Sequence, residues 1–124
     1  MANDRPPSVL IVDDHDGFRV FARKLLEAAG FTVTEAASGA EAMKEAGRVR
    51  PMLVLLDIGL PDIDGFEVAR QLEAAYSEGP IVVLTSTREA SDYGAQVTTS
   101  PAAGFLPKEQ LSGVAVRGYL AGNK

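Results

Sequence analysis

Two adjacent carboxylates at Asp13-Asp14, a third at Asp57, the hydroxyls Thr85-Ser86 and the ammonium of Lys108 are the groups with chemistry to offer in this chain. Singly, each has an ordinary explanation. An aspartate after a strand is usually a helix cap, and an isolated lysine is usually on the surface. Gathered in one place they mean something different. Carboxylates a few ångströms apart repel by roughly 1 to 4 kcal/mol per pair at effective dielectrics of about 80 to 20. A fold that collects three of them needs a cation or a proton to relieve the cluster. Oxygen donors without imidazole suit Mg²⁺ or Mn²⁺ better than Zn²⁺. A hard cation beside a lysine and a hydroxyl suits a phosphoryl group.

Whether these groups meet depends on the elements between them. Short β-branched runs alternate with helical patterns along the whole chain. Residues 9–12, Val-Leu-Ile-Val, are too short for a helix and read as a buried strand. Phe18, Phe21, Ala22, Leu25 and Leu26 recur at helical spacing, with His15 at the helix start, Asp16 as its cap and Gly30 as its stop. Residues 31–34 form a second, partly polar strand suited to a sheet edge. Ser38 caps a second helix through about Arg48, whose small apolar face is Ala42, Met43 and Ala46.

Residues 52–56 are the third and most apolar strand, and 59–65 are loop chemistry. Asp62-Ile63-Asp64-Gly65 resembles part of a calcium loop, but the bidentate glutamate that such a loop needs is missing downstream, so it reads as a turn. A third helix spans 66–76 and a fourth strand 81–84. Residues 88–97 carry a weak helical pattern, opened by Arg88-Glu89 and broken by Ser100-Pro101. A short fifth strand holds Phe105-Leu106, and a last helix covers 111–120 with Gly113 and Gly118 inside it.

Strands alternating with helices imply an α/β fold with a parallel sheet covered on both faces. Right-handed crossovers make it a doubly wound five-stranded sheet of flavodoxin-like order 2-1-3-4-5. Ligands of such sheets bind at the carboxyl ends of the strands, at the switch point between strands 1 and 3. Asp13-Asp14 follow strand 1, Asp57 follows strand 3, Thr85-Ser86 follow strand 4 and Lys108 follows strand 5. All of them therefore converge on one end of the sheet. The expected organisation is a flexible segment at 1–7, one domain at 8–121 and a tail at 122–124.

Composition narrows the alternatives. The chain has 124 residues, no cysteine, one histidine and a net charge of −5. Disulfides and thiolate catalysis are absent. The acidic balance argues against nucleic acid or an anionic membrane as the main partner. No apolar run approaches the roughly 18 residues of a membrane span, and the polar start is unlike a signal peptide, so a cytoplasmic location is expected. The acidic loop after strand 1 is not a glycine-rich nucleotide loop, and neither a P-loop nor a G-x-S-x-G elbow occurs.

Four segments together carry a resemblance. Val12-Asp13-Asp14, Asp57-Ile58-Gly59-Leu60-Pro61 with Gly65, Leu84-Thr85-Ser86, and Gly104-Phe105-Leu106-Pro107-Lys108 resemble the response-regulator receiver domain over about residues 8–120. The resemblance implies that Asp57 accepts a phosphoryl group from a sensor histidine kinase or phosphotransfer protein. It implies Mg²⁺ (or Mn²⁺) held by Asp13, Asp14, Asp57 and the Gly59 carbonyl, with Asp14 a direct ligand and Asp13 acting through water. Thr85 and the Ser86 amide would contact the phosphoryl group, and Lys108 would pair first with Asp57. Pro61 and Gly65 would shape the loop. Thr85 and Phe105 would form the switch that reshapes the surface of helix 4, strand 5 and helix 5 for a downstream protein or output domain.

On this reading the chain is a signalling domain and not an enzyme, does not itself bind nucleic acid or membrane, and is a monomer, or a dimer once phosphorylated. An aspartyl-phosphate phosphatase acting on small phosphate esters is the competing reading, though position 59 is glycine where such enzymes place a second aspartate. Two departures from the family pattern, Glu109 and Pro101-Ala102-Ala103, imply a short or irregular helix 4.

Overall fold

The computed structural model describes residues 6–122. Most of the segment expected to be flexible, 1–7, and of the tail, 122–124, lies outside the described residues. The elements run β1 (Ser8–Val12), α1 (Asp16–Ala28), β2 (Thr32–Ala36), α2 (Gly39–Val49), β3 (Leu53–Asp57), α3 (Gly65–Ala75), β4 (Ile81–Ser86), α4 (Ala95–Thr99), β5 (Gly104–Pro107) and α5 (Gly113–Leu120). Single 3-10 turns occupy Ala90–Tyr93 and Lys108–Gln110. The five strands are parallel in the order β2-β1-β3-β4-β5, as expected.

The core lies on both faces of this sheet. Side chains alternate faces along a strand, so residues two apart share one. Leu10, Val12, Val54, Leu56, Val82 and Leu84 pack with Ala42 and Ala46 of α2 and Phe66, Val68 and Leu72 of α3. Val9, Ile11, Leu53, Leu55, Val83 and Leu106 pack on the other face with Ala22 and Leu26 of α1 and Val116 of α5. Strands buried on both sides read as continuous apolar runs, which is why β1, β3 and β4 stand out in the sequence. β2, with exposed Thr32 and half-buried Thr34 and Glu35, is the expected edge.

Local signals set most helix ends. Ser38 Oγ accepts from the Glu41 amide at 3.1 Å and caps α2. Asp64 caps α3 through the Glu67 amide, and Ser112 caps α5 through the Ala115 amide. Gly30, at φ 98°, lets the chain leave α1 in a left-handed conformation. Asp62 is more than a turn residue. Its carboxylate accepts from the amides of Gly39 and Ala40 at 2.8 and 2.9 Å, so the loop after β3 is tied to the start of α2. Those bonds hold its pKa below the usual aspartate value.

Two expectations need correction. Asp16 does not cap α1: His15 is the N-cap residue, and Asp16 sits in the first turn and pairs with Arg19. The helix expected over 88–97 is not continuous. Glu89 and Asp92 close a capping box around the turn Ala90–Tyr93, Gly94 breaks away at φ 60°, and only Ala95–Thr99 is α-helical. The short, irregular α4 implied by the family departures is what the chain adopts. Among the described residues, no helix is long and apolar enough to cross a membrane.

Candidate functional site

The alternation that builds the core also delivers the polar groups. The row Val9, Ile11 on the α1/α5 face continues into Asp13. Leu53 and Leu55 continue into Asp57, Val83 into Thr85, and Leu106 into Lys108. Four adjacent strands thus end, on one face, in two carboxylates, a hydroxyl and an ammonium. Asp57 and Thr85 are register partners across β3 and β4.

Backbone bonds hold the strand ends. The Asp13 amide donates to Ala36 O at 3.0 Å and the Ile58 amide to Thr85 O at 3.1 Å. The Gly65 amide donates to Ile58 O at 2.8 Å. Gly65 also explains why the loop after Asp57 needs a residue without a side chain. A Cβ there would lie 2.5 Å from the Asp57 carbonyl oxygen and 2.7 Å from Ile58 Cα.

Asp13, Asp57, Thr85 and Ser86 are all buried, Asp13 completely. Lys108 Nζ stands 2.6 Å from Asp13 Oδ2 and 3.9 Å from Asp57 Oδ1. The sequence reading had Lys108 pairing first with Asp57; here it pairs with Asp13, and its flexible stem reaches either carboxylate from the end of β5. The contact to Asp13 is an ion pair without hydrogen-bond geometry, so Oδ2 takes no hydrogen bond. Burial raises the pKa of Asp57, and the Asp13 charge adds to this; Lys108 and the Gly59 amide oppose it. The ionised site is therefore electrostatically frustrated.

Other side chains join the site without having been singled out for it. His15 had been read only as a helix-start residue, which it is. Its Nδ1 also lies 2.9 Å from Asp13 Oδ1 and 3.3 Å from Asp14 Oδ1. The hydrogen bond to Asp13 and the charge of Asp14 raise its pKa. The donor set is thus not free of imidazole, a correction to the oxygen-only reading. Arg19 donates to the Asp13 carbonyl at 2.6 Å and to Glu35 at 3.0 Å, which anchors the acidic loop to β2. The Phe18 ring lies 4.6 Å from Lys108 Nζ. The place of Phe18 and Arg19 in the first turn of α1, directly after the acidic loop, was the available signal for both.

Ser86 had been valued for its backbone amide and small side chain. Its hydroxyl lies 2.6 Å from the Tyr93 hydroxyl and accepts from the Arg88 amide at 3.0 Å. Tyr93 packs between Phe66 and Phe105, with ring centroids 5.8 and 6.2 Å away. Phe105 is half-buried on β5. Tyr93 lies in the weakly patterned segment, so no periodicity pointed to it.

Donor atoms of Asp13, Asp14, His15 and Asp57 all lie within 4.8 Å of one another. Three carboxylates against one lysine leave a net negative charge, and one buried carboxylate oxygen lacks a hydrogen bond. That donor set fits a divalent cation. Gly59 is exposed beside Asp57, where a backbone carbonyl can serve as a further oxygen donor.

Comparison with known proteins agrees with this geometry. The family described as "Response regulator receiver domain" matches residues 9–113. The Escherichia coli KDP operon transcriptional regulatory protein KdpE is 42% identical over 85 residues, covering 68% of this chain and 37% of that protein. The response regulator MprA of Mycobacterium sp. (strain KMS) is 37% identical over 103 residues, covering 83% of this chain and 44% of that protein. A crystal structure of a LuxR-family two-component response regulator from Aurantimonas sp. SI85-9A1 superposes with a TM-score of 0.86 at 25% identity, covering 96% of this chain and 88% of that one. The chain spans about a third to just over half of the length of the curated relatives it matches. Nothing among these similarities supports the phosphatase reading. A buried acidic site at the switch point of a 2-1-3-4-5 sheet, together with a match over most of its length, shows that this chain belongs to the response-regulator receiver domain family.

Proposed function

We propose that this chain accepts a phosphoryl group on Asp57 from the phosphohistidine of a sensor histidine kinase or phosphotransfer protein. The supporting observation is the ending of four strand rows in Asp13, Asp57, Thr85 and Lys108 on one face of the sheet. In the reaction an Asp57 carboxylate oxygen attacks phosphorus, a new O–P bond forms, and the N–P bond to the donor imidazole breaks with its electron pair staying on nitrogen. Mg²⁺ or Mn²⁺, held by Asp13, Asp14, Asp57 and the Gly59 carbonyl, neutralises charge on the phosphoryl oxygens when bound. Lys108 moves between Asp13 and Asp57 and stabilises the transferred group. Thr85 and the Ser86 amide contact its oxygens. A cleft of about 440 Å³ beside the site, lined by Phe18, Phe21, Thr87 and Lys108 among others, gives a donor side chain room to approach.

The consequence is a change at the α4–β5–α5 surface. A new bond from Thr85 to the phosphoryl group pulls β4 and frees space beside Phe105. The Ser86–Tyr93 bond offers a second link from β4 to the same aromatic group. The altered surface is read by a downstream protein or output domain, in the cytoplasm, with the chain monomeric or dimerising on phosphorylation. Phosphorylation biases a two-state element, which is a population shift.

Incubation with acetyl phosphate and Mg²⁺, followed by intact mass, tests this. The wild type gains one phosphoryl group and Asp57→Ala gains none. Absence of a Mg²⁺-dependent adduct on the wild type overturns the proposal.

A further inference from the structure

We propose that the hydrogen bond between Tyr93 and Ser86 is a latch on the unphosphorylated state, so that Tyr93 sets how readily the chain is activated; this rests on the reading of Asp57 as the phosphoacceptor. Consecutive side chains of a strand point to opposite faces. Thr85 follows Val83 on the face that carries Asp57, and Ser86 follows Val82 and Leu84 on the other. One planar peptide unit joins the two residues. A movement at the end of β4 that brings the Thr85 hydroxyl to a phosphoryl group on Asp57 therefore displaces Ser86 on the opposite face.

Ser86 is buried, and its hydroxyl lies 2.6 Å from the Tyr93 hydroxyl. The Arg88 amide donates to the same Ser86 oxygen at 3.0 Å and fixes its orientation. Hydroxyl–hydroxyl bonds hold only to about 3.0 Å, so a shift of about 1 Å at Ser86 breaks the latch. Among the described residues, this is the one hydrogen bond that ties residues 90–99 to the sheet. The others of that segment are local, such as those from Thr98 and Thr99 to the Ala95 carbonyl.

α4 has five residues, of which Ala95, Gln96, Thr98 and Thr99 are exposed. A segment with so few anchors opens at small cost, and one bond weighs heavily in its equilibrium. The Tyr93 ring also packs between Phe66 and Phe105, so its release loosens Phe105 on β5 in the same step. Tyr93 acts through Ser86 and is a positioning residue.

Tyr93→Phe keeps the ring and removes the hydroxyl. In the full chain, the backbone amide shifts of β5 and α5 should move along the line that joins the unphosphorylated and phosphorylated wild type. The rate of Asp57 phosphorylation by acetyl phosphate and Mg²⁺ should rise about fivefold, the effect of one lost hydrogen bond on a two-state equilibrium. A bond with a merely structural role lowers Tm and moves neither readout. A third measurement needs no variant: the ¹³Cζ shift of Tyr93, which follows hydrogen bonding at its hydroxyl, should move towards that of solvent-exposed tyrosine when the wild type is phosphorylated. Amide shifts that stay put or leave the line, an unchanged or slower rate, or a ¹³Cζ shift that ignores phosphorylation each overturn the latch while leaving Asp57 as phosphoacceptor. If the wild type takes no phosphoryl group on Asp57, the phosphoacceptor reading fails and the latch with it.

Discussion

Burial and charge pull in opposite directions at Asp13 and Asp57. Both carboxylates are removed from water, they repel each other, and one lysine serves them both. Two predictions follow from that imbalance. Replacing Asp57 by Asn removes a like charge and should stabilise the metal-free protein by about 1 kcal/mol, a few degrees in Tm. Replacing Lys108 by Met leaves Asp13 buried without its counter-charge and should cost about 3 kcal/mol in urea unfolding without added metal. An Asp57→Asn protein no more stable than the wild type contradicts the account of a frustrated site.

Residues that close or directly follow strands were legible from sequence. Asp13, Asp57, Thr85 and Lys108 needed only the strand positions and the two-residue alternation. The choice Lys108 makes between two carboxylates at the same sheet end was not legible, because a lysine stem reaches both. Nor was the turn of His15 towards Asp13, which depends on the loop conformation between β1 and α1.

The elements carrying the site are tied down by bonds that themselves make predictions. Arg19 and Arg23 of α1 clamp Glu35 of β2, at 3.0 Å from Arg19 and 2.5 Å from Arg23. The bond from Arg23 is the main reason that the Glu35 pKa lies below the ordinary glutamate value, with Arg19 adding to it against the cost of burial. A carboxylate whose folded pKa is lowered stabilises the fold above its unfolded pKa, about 4.3, and loses that contribution as pH falls through the folded value. Glu35→Gln should therefore cost about 1 kcal/mol at neutral pH. The gap between the two proteins should close below about pH 4 in denaturant melts. A gap that persists unchanged at pH 3 would falsify the ion-pair account.

Gly65 is the other element-scale constraint. The contacts that a Cβ would make are with backbone, which cannot rotate away. Gly65→Ala should cost about 2 kcal/mol or more and shift the loop that follows Asp57. Thermal unfolding measures the cost, and amide chemical shifts at 57–65 locate it.

Element types were legible where periodicity was strong, as in α1 and β3, and boundaries were legible where a cap was present, as at Ser38. The segment between β4 and β5 was not. Its order comes from tertiary contacts of Tyr93 with Ser86, Phe66 and Phe105 and of Val97 and Ala102 with the core, from the Glu89–Asp92 capping box and from the turn at Gly94. None of these leaves a periodic trace in the sequence.

At the scale of the whole molecule, a parallel sheet separates two apolar clusters and gathers its polar groups at one end. That arrangement places the buried carboxylate of Asp57 at the end of β3, inside the sheet. It also places Ser86 at the inner end of an aromatic group that reaches the α4–β5 surface. The five strands are paired across the sheet, whereas α4 is a helix of 5 residues with little helical structure to lose.

The central claim is that Asp57 is the residue that carries the phosphoryl group. The most direct measurement treats the protein with acetyl phosphate and Mg²⁺, reduces any acyl phosphate with borohydride to convert the modified aspartate to homoserine, and maps the product by tandem mass spectrometry. The account predicts homoserine at position 57, dependent on Mg²⁺. Homoserine at another aspartate, or at none, contradicts it.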